Sequence, residues 1–242
     1  MGAGRADTVA DALLRTVVDG EFTPGDTLPS EADLANRFGV SRLTVREAIR
    51  SLASTRVIHV RQGRSSVINP VERWSPLDPR LLKARGEASG DPLQLPRRLL
   101  EARRAVEVSI AELAAGRRDD QHVERLALWI DRMREADRDA DVPRFVEADL
   151  AFHRTLFEAV DNVFLDALFQ PLSSVVRDVR AQTSSVPEIR EHAIEWHARI
   201  LAGVEAGDAD EAREAMRGHL MQTENDMDFF LARQPVAPSG LT

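Results

Sequence analysis

The chain has 242 residues, of which 43% are hydrophobic and 30% are charged, a composition typical of a globular protein with a buried core. It contains no cysteine, which excludes disulfides, thiolate metal sites and cysteine nucleophiles. The sequence has no run of about 18 apolar residues that could cross a bilayer, and Asp7 and Asp11 interrupt any apolar signal-peptide core. We therefore expect a cytoplasmic protein with no membrane partner.

The net charge of −8 is unevenly distributed along the chain. Residues 1–70 hold nine Arg and eight Asp or Glu, a balance of +1, and the remainder holds 23 basic and 32 acidic residues. Within residues 36–64 there are seven Arg and a single acid, Glu47. Such local basic charge is what a surface that docks on nucleic acid requires.

Three helices and a hairpin are predicted in the N-terminal region. The helices cover about 6–19, 31–38 and 41–55, and the two short β segments cover 57–61 and 66–68. Ser30 and Ser41 are expected to cap the second and third helices, and Gly39 to end the second. Three helices followed by a hairpin make a winged helix-turn-helix.

The third helix has two unlike faces. Its apolar stripe consists of Val45, Ala48, Ile49 and Leu52. Arg42, Arg46 and Arg50, each four residues apart, form a basic stripe. Arginine can fork onto guanine or phosphate in the major groove. The alternative is an ordinary solvated face of an amphipathic helix, but the local charge and the flanking elements favour DNA binding.

The stretch GEFTPGDTLPSEADLANRFGVSRLTVREAIRSL, within residues 8–68, resembles the N-terminal domain of the GntR family of bacterial transcription regulators. The resemblance implies that Arg42 and Arg46 contact operator bases or phosphates and that Gln62 and Gly63 form the wing tip. The full predicted DNA-binding set is Ser41, Arg42, Thr44, Arg46, Arg50, Gln62, Gly63 and Arg64.

The sequence departs from that family pattern at three positions. Arg56 and Ser65 stand where glycines are usual around the wing, and Ala32 stands where some relatives have Arg. These departures concern the detailed contacts of the wing and not the domain as a whole.

After a linker over 71–80, the chain is predicted to be helical almost throughout. A short helix over 81–85 precedes helices near 93–116, 121–139, 143–160, 163–182, 187–206 and 209–232, and residues 234–242 form a disordered tail. Pro171 is expected to kink the helix over 163–182.

Four ionisable residues interrupt the apolar stripes of these helices. Asp149 and His153 lie one turn apart in helix 143–160, and His197 and His219 lie in the last two helices. Because ionisable groups are costly alone on a buried face, four that converge would be satisfied by one divalent metal ion, with Zn²⁺ or Ni²⁺ the best match. The alternative is that each histidine is a hydrogen-bonded core residue.

Three further stretches between residues 81 and 233 carry a second resemblance. EARRAVE, EADLAFHRTLFEAVDN and WHARILAGVEAGDADEAREAMRGHL resemble the all-helical ligand-binding FCD domain of the FadR subfamily of GntR regulators. The resemblance implies that Asp149, His153, His197 and His219 are metal ligands. The complete set resembles the branch of the subfamily that binds small carboxylates.

Arg103 is a cation in the apolar stripe of the helix over 93–116. Both its position and the family resemblance suggest that it holds the carboxylate of an effector beside the metal. The alternative is a structural ion pair with Glu107 or with an acid near the C-terminus.

The sequence thus predicts a mostly α protein: a winged helix-turn-helix over 1–70 with a small β-hairpin wing, followed by an all-helical bundle over 81–233. We expect it not to be an enzyme but a homodimeric repressor of double-stranded operator DNA, controlled by a small organic acid at the metal site. Two alternatives remain open. The metal itself could be the signal, or the metal could activate water in a hydrolase.

Overall fold

The computed structural model describes residues 4–61, 65–75, 78, 81, 91 and 93–231. It divides the chain into two compact units, Met1–Pro92 and Leu93–Thr242. The predicted wing tip at 62–64, all but Leu81 of the short helix predicted at 81–85, and the predicted tail lie outside the described residues. In the part that is described, no helix is both long and apolar enough to span a bilayer.

The N-terminal unit contains the predicted three helices and hairpin. They are α1 (Arg5–Val18), α2 (Glu31–Phe38), α3 (Arg42–Ser54), β1 (Ile58–His59) and β2 (Val67–Ile68). The two strands pair antiparallel with Ile58 opposite Ile68. Helices α1 and α2 pack against α3, and the shared core includes Leu13, Leu34 and Val45.

The turn between α2 and α3 forms as the sequence predicts. Gly39 adopts the left-handed conformation at φ 64° and ends α2. Ser41 is the N-cap of α3: its Oγ accepts a hydrogen bond from the backbone N–H of Thr44 at 3.1 Å. The helix that carries the arginine stripe therefore starts at a defined residue.

The first part of the predicted linker folds onto the N-terminal core. Val71–Arg73 forms a 3₁₀ turn, and Trp74 is buried in the same cluster as α1 and α3. The indole N–H of Trp74 donates to the carbonyl of Asn69 at 2.9 Å.

The C-terminal unit is helical throughout its described part. Its helices are α4 (Gln94–Arg117), α5 (Asp120–Arg138), α6 (Val142–Val160), α7 (Val163–Phe169), α8 (Ser173–Thr183), α9 (Pro187–Ala206) and α10 (Ala209–Asp226), and Met227–Leu231 continues α10 as a π-helical turn. Helix α4 packs against α6, α9 and α10. It therefore lies along the face where those three helices carry the predicted metal ligands.

The helix predicted over 163–182 is a pair of helices and not one kinked helix. A 3₁₀ turn over Gln170–Leu172, which contains Pro171, separates α7 from α8. Proline lacks the N–H for the helical hydrogen bond, and its ring collides with the preceding turn. The irregularity thus lies at the proline where the sequence predicts it, and it takes the form of a 3₁₀ turn between two helices.

Helices α9 and α10 form a closely packed antiparallel pair. A Cβ at Gly203 would lie 2.6 Å from the backbone nitrogen of Ala212, so only glycine allows this approach. Gly207 ends α9 in the left-handed conformation, and Asp208 caps α10 by accepting from the N–H of Glu211 at 3.0 Å. This register brings His197 on α9 beside His219 on α10.

Candidate metal centre and nucleic-acid interface

Three of the four predicted metal ligands form one buried cluster. His153 on α6, His197 on α9 and His219 on α10 each expose 6% or less of their surface. One ring nitrogen from each lies within 4.8 Å of the other two. The Nε2 atoms of His153 and His197 are only 3.2 Å apart.

The partners of the opposite ring nitrogens determine which tautomers are present. Nδ1 of His153 lies 2.6 Å from Oε2 of Glu107, and Nδ1 of His197 faces the carbonyl of Ala193. Because a carboxylate and a carbonyl only accept, each Nδ1 carries the hydrogen. Each Nε2 atom therefore carries a lone pair, the form in which an imidazole accepts a hydrogen bond or binds a metal ion.

His219 completes this cluster with two unsatisfied atoms. Both of its ring nitrogens are buried and have no hydrogen-bond partner in the described part of the chain. Burial lowers the pKa of His219 well below its ordinary value, and the charges of His197 and His153 lower it further. It is therefore a neutral imidazole, which is the form that binds metals.

Asp149 lies next to the three histidines. Its side chain is buried, and Oδ1 is 3.3 Å from Nε2 of His197. Adjacent ligand atoms on a tetrahedral ion, each about 2.0–2.1 Å from it, are roughly 3.3 Å apart. The His153–His197 and His197–Asp149 distances match this value, and a donor set of imidazoles and a carboxylate suits a divalent ion such as Zn²⁺ or Ni²⁺.

Arg103 has the structural partner that the sequence left as the alternative. Its Nε donates to Oε1 of Glu107 at 2.6 Å and its Nη2 to Oε2 at 3.3 Å, and both side chains are buried. Burial raises the pKa of Glu107, but the charges of Arg103 and His153 more than offset this and hold it well below its usual value. Glu107 thus links Arg103 to a predicted ligand, and Nη1 is the donor of Arg103 that remains for an effector.

Sequence reasoning missed Arg180 on α8. It exposes only 7% of its surface, its guanidinium forms an ion pair with Asp149, and its Nη2 lies 2.8 Å from Nε2 of His153. The signal was the same as for the ligands, because Arg180 follows the buried Val176 by four residues. It went unnoticed in a segment that was predicted as part of one long helix.

The cavity beside this cluster is small, and of the three histidines only His219 is among the residues that line it. Its volume is about 20 Å³, and its lining includes Arg103, Asp149, Arg180, His219 and Thr223. A volume of this size holds one ion or one water molecule. An organic acid would need a rearrangement of the lining.

On α3, the predicted DNA-binding arginines surround a carboxylate of α2. Arg46 donates to Glu31 from Nε at 3.0 Å and from Nη2 at 2.7 Å. The hydrogen bond from Arg46 lowers the pKa of Glu31, and the charges of Arg50 and Arg42 also contribute. Of the other predicted contacts, Ser41 and Thr44 lie at the start of α3 with their hydroxyls 2.9 Å apart.

A helix-turn-helix with an arginine-bearing third helix, followed in the same chain by a helical domain around a buried polar site, is the layout of a transcription regulator. Residues 5–68 match the gntR family of bacterial regulatory proteins, and residues 98–222 match the FCD domain. The chain belongs to the GntR family and has an FCD domain.

The relatives agree with this assignment. The chain is 29% identical to the galactonate operon transcriptional repressor of Escherichia coli (strain K12), over 89% of this chain and 93% of the relative. It is 30% identical to the HTH-type transcriptional regulator LutR of Bacillus subtilis (strain 168), over 86% and 94% respectively. Both are regulators and not enzymes, which confirms the prediction that this chain is not an enzyme.

A solved structure supports the fold. Lar, which controls the expression of the Listeria monocytogenes agr system, aligns with a TM-score of 0.64 at 19% identity, over 95% of this chain and 99% of that one. At this identity the likeness shows the fold alone.

Proposed function

We propose that this regulator is a repressor that binds double-stranded operator DNA as a homodimer and releases it when a small organic acid binds at a metal site. The observation that carries the proposal is the pair of Nε2 lone pairs of His153 and His197, 3.2 Å apart. Together with the nitrogens of His219, which have no hydrogen-bond partner among the described residues, they make a donor set suited to one divalent ion.

Each residue of this site has a role in the proposal. His153, His197, His219 and Asp149 would hold a divalent ion, Zn²⁺ or Ni²⁺. When bound, the ion would supply a Lewis-acidic position for an effector carboxylate. Glu107 and the carbonyl of Ala193 keep Nε2 of two histidines directed at the ion.

Arg103 would position the effector beside the ion. Glu107 accepts from Nε and Nη2 of Arg103 but not from Nη1. Nη1 would donate to the effector, because a guanidinium is well suited to a carboxylate. The galactonate operon repressor is named for the operon of an organic acid, which supports an organic acid as the class of effector here.

At the DNA, Arg42 and Arg46 would reach bases or phosphates in the major groove. Ser41, Thr44 and Arg50 would assist them, and Gln62, Gly63 and Arg64 would contact the backbone or the minor groove from the wing. For the effector to change occupancy it must favour one state of the protein, typically by about 1–3 kcal/mol.

The test removes the ligand that has no other task in the structure. We expect the His219→Ala variant to lose its bound metal and its release from operator by organic acids, while it keeps operator affinity. His59→Ala is the control, because His59 is an exposed imidazole of the N-terminal unit. Metal content is measured by atomic emission, and release by fluorescence anisotropy on a duplex selected from a random pool.

Two outcomes would contradict the proposal. Wild-type protein purified without chelators that carries no metal would leave the histidines as core residues. Release of the duplex by metal alone, with no organic acid, would make the metal the signal instead.

A further inference from the structure

Arg180 occupies part of the proposed ligand set. Its guanidinium contacts Asp149 and donates from Nη2 to Nε2 of His153 at 2.8 Å. Its Nε is buried and has no hydrogen-bond partner among the residues that the structure describes. A single cation of the chain thus covers two of the four groups that would hold a metal ion.

Arg180 and a metal ion cannot share His153. With the hydrogen on Nδ1, which faces Glu107, the ring has one lone pair, on Nε2. That lone pair either accepts from Nη2 of Arg180 or binds a metal. Metal binding therefore requires the guanidinium to leave His153.

A displaced Arg180 needs a new partner. It is buried, and Arg103 lines the same cavity, so a second cation lies nearby. A buried cation without a counter-ion is costly. The cavity that Arg103 and Arg180 both line is then the place where an anion could pair with the displaced guanidinium.

The charges of the site indicate how much negative charge is missing. Arg103 is paired with Glu107 and Arg180 with Asp149, so two guanidinium groups face two carboxylates. A divalent ion adds two positive charges, which an effector with two negative charges would neutralise. The cavity of about 20 Å³ also cannot accept an organic acid until a side chain withdraws.

We propose that Arg180 blocks two of the metal ligands until a metal ion displaces it, a role that we call the plug. Once displaced, its guanidinium is the second anchor of a dianionic effector. This rests on the proposed function, in which the same cavity takes a metal ion and an organic anion. The effector class is thereby narrowed from carboxylates in general to dicarboxylates or acids of equal charge.

The first arm of the test measures metal affinity. Arg180→Met removes the cation at similar length, and Arg177→Met is the control, since Arg177 is exposed three residues earlier on α8. In competition with a chelator, Arg180→Met should bind Zn²⁺ roughly tenfold more tightly, the size of one charge-assisted hydrogen bond. Weaker Zn²⁺ binding would overturn the plug, because Arg180 would then be positioning Asp149.

The second arm measures effector preference by calorimetry on the Zn²⁺-loaded proteins. The probes are mono- and dicarboxylates of matched length, such as butyrate and succinate, over three to six carbons. Wild type and Arg177→Met should bind the dicarboxylate of a pair more tightly, and Arg180→Met should lose this preference. If no dicarboxylate binds better than its matched monocarboxylate, the dianion assignment fails.

Arg180→Lys keeps the test decisive if the methionine variant does not fold. Lysine retains the charge but not the forked donors, so it should bind Zn²⁺ more tightly and still prefer dicarboxylates. A Lys variant with wild-type Zn²⁺ affinity would contradict the plug. Failure of the proposed function itself is distinguishable, because wild type would then bind no Zn²⁺ at all.

Discussion

Glu107 shows how strongly a buried site depends on a residue that is not itself a proposed ligand. Its two carboxylate oxygens contact Nδ1 of His153 and the guanidinium of Arg103. One side chain therefore contacts a proposed metal ligand and holds the proposed effector anchor. We infer that metal affinity and effector affinity depend on the same carboxylate.

Arg56 stores backbone strain at the position before the wing. Its φ is 61°, a left-handed conformation that costs an L-residue roughly 1 kcal/mol. This is the position where glycine is usual in the family. Arg56→Gly should therefore stabilise the N-terminal unit by up to about 1 kcal/mol, measured by urea denaturation.

Arg56→Ala is the control for that prediction. It removes the side chain but keeps Cβ, so the strain should remain. Equal stabilisation by Ala and Gly would show that the side chain, and not the backbone, was responsible.

Arg46 should contribute to specific DNA binding through the edge of its guanidinium that Glu31 does not use. Glu31 engages Nε and Nη2, which leaves Nη1 and the second hydrogen of Nη2 for guanine or phosphate. Arg46→Ala should lower affinity for a selected duplex by about 1–3 kcal/mol, measured by anisotropy.

Salt dependence separates the roles that Arg46 could have. Loss of a phosphate contact reduces the slope of log K against log salt by roughly 0.9, whereas loss of a base contact mainly relaxes sequence preference. Arg15→Ala on the exposed face of α1 is the control. Unchanged affinity in Arg46→Ala would remove this residue from the interface.

The residues found from sequence and the residues missed differ in one physical respect. His153, His197 and His219 interrupt long, regular apolar stripes, so the cost of burying them was visible. Arg180 lies on α8, whose rotation is set by the 3₁₀ turn at Gln170–Leu172. The periodicity of α7 does not continue through such a turn, so only the short stripe of α8 itself, with Val176 four residues before Arg180, carried the signal.

Among the elements, those with capped ends were the most predictable. Ser30 and Ser41 accept hydrogen bonds at the starts of α2 and α3, and Gly207 with Asp208 separates α9 from α10. Caps are local in sequence, so their chemistry can be recognised without the fold. The break at Pro171 was less predictable, because the surroundings decide whether a proline kinks a helix or ends it.

The close contact of α9 with α10 has a measurable energetic consequence. Gly203→Ala would place a Cβ 2.6 Å from the backbone nitrogen of Ala212, and backbone cannot move aside as a side chain can. We expect a loss of roughly 1–3 kcal/mol in the free energy of unfolding, measured by chemical denaturation.

Gly116→Ala in α4 is the matched control. A Cβ at Gly116 would meet nothing within 4 Å, so alanine should stabilise the helix by up to about 1 kcal/mol. Because Gly203 also sets the register of His197 against His219, its variant should lose metal affinity as well, whereas Gly116→Ala should not.

At the scale of the whole molecule, the acidic chain confines its positive charge to a small region. Seven Arg and one acid lie within residues 36–64 of a chain of net charge −8. The acidic remainder should repel DNA and so limit binding to the arginine-bearing helix and the wing.

A homodimer would place two such helices on two half-sites. We expect a sedimentation mass of about twice 26.9 kDa for the free protein, and selected duplexes with two inverted half-sites centred about one helical turn apart. A mass of one chain, together with selection of a single half-site, would contradict the dimer.

The buried nitrogens of His219 should also affect how long the protein persists in the cell before it is degraded. On the proposed metal site, a copy that folds without metal keeps two buried nitrogens that have no partner among the described residues. A ligand that binds only the folded state raises stability by mass action. Less stable copies open more often and are degraded sooner. Proteolysis should therefore enrich the loaded form, so the supply of metal would set how many regulators a cell keeps.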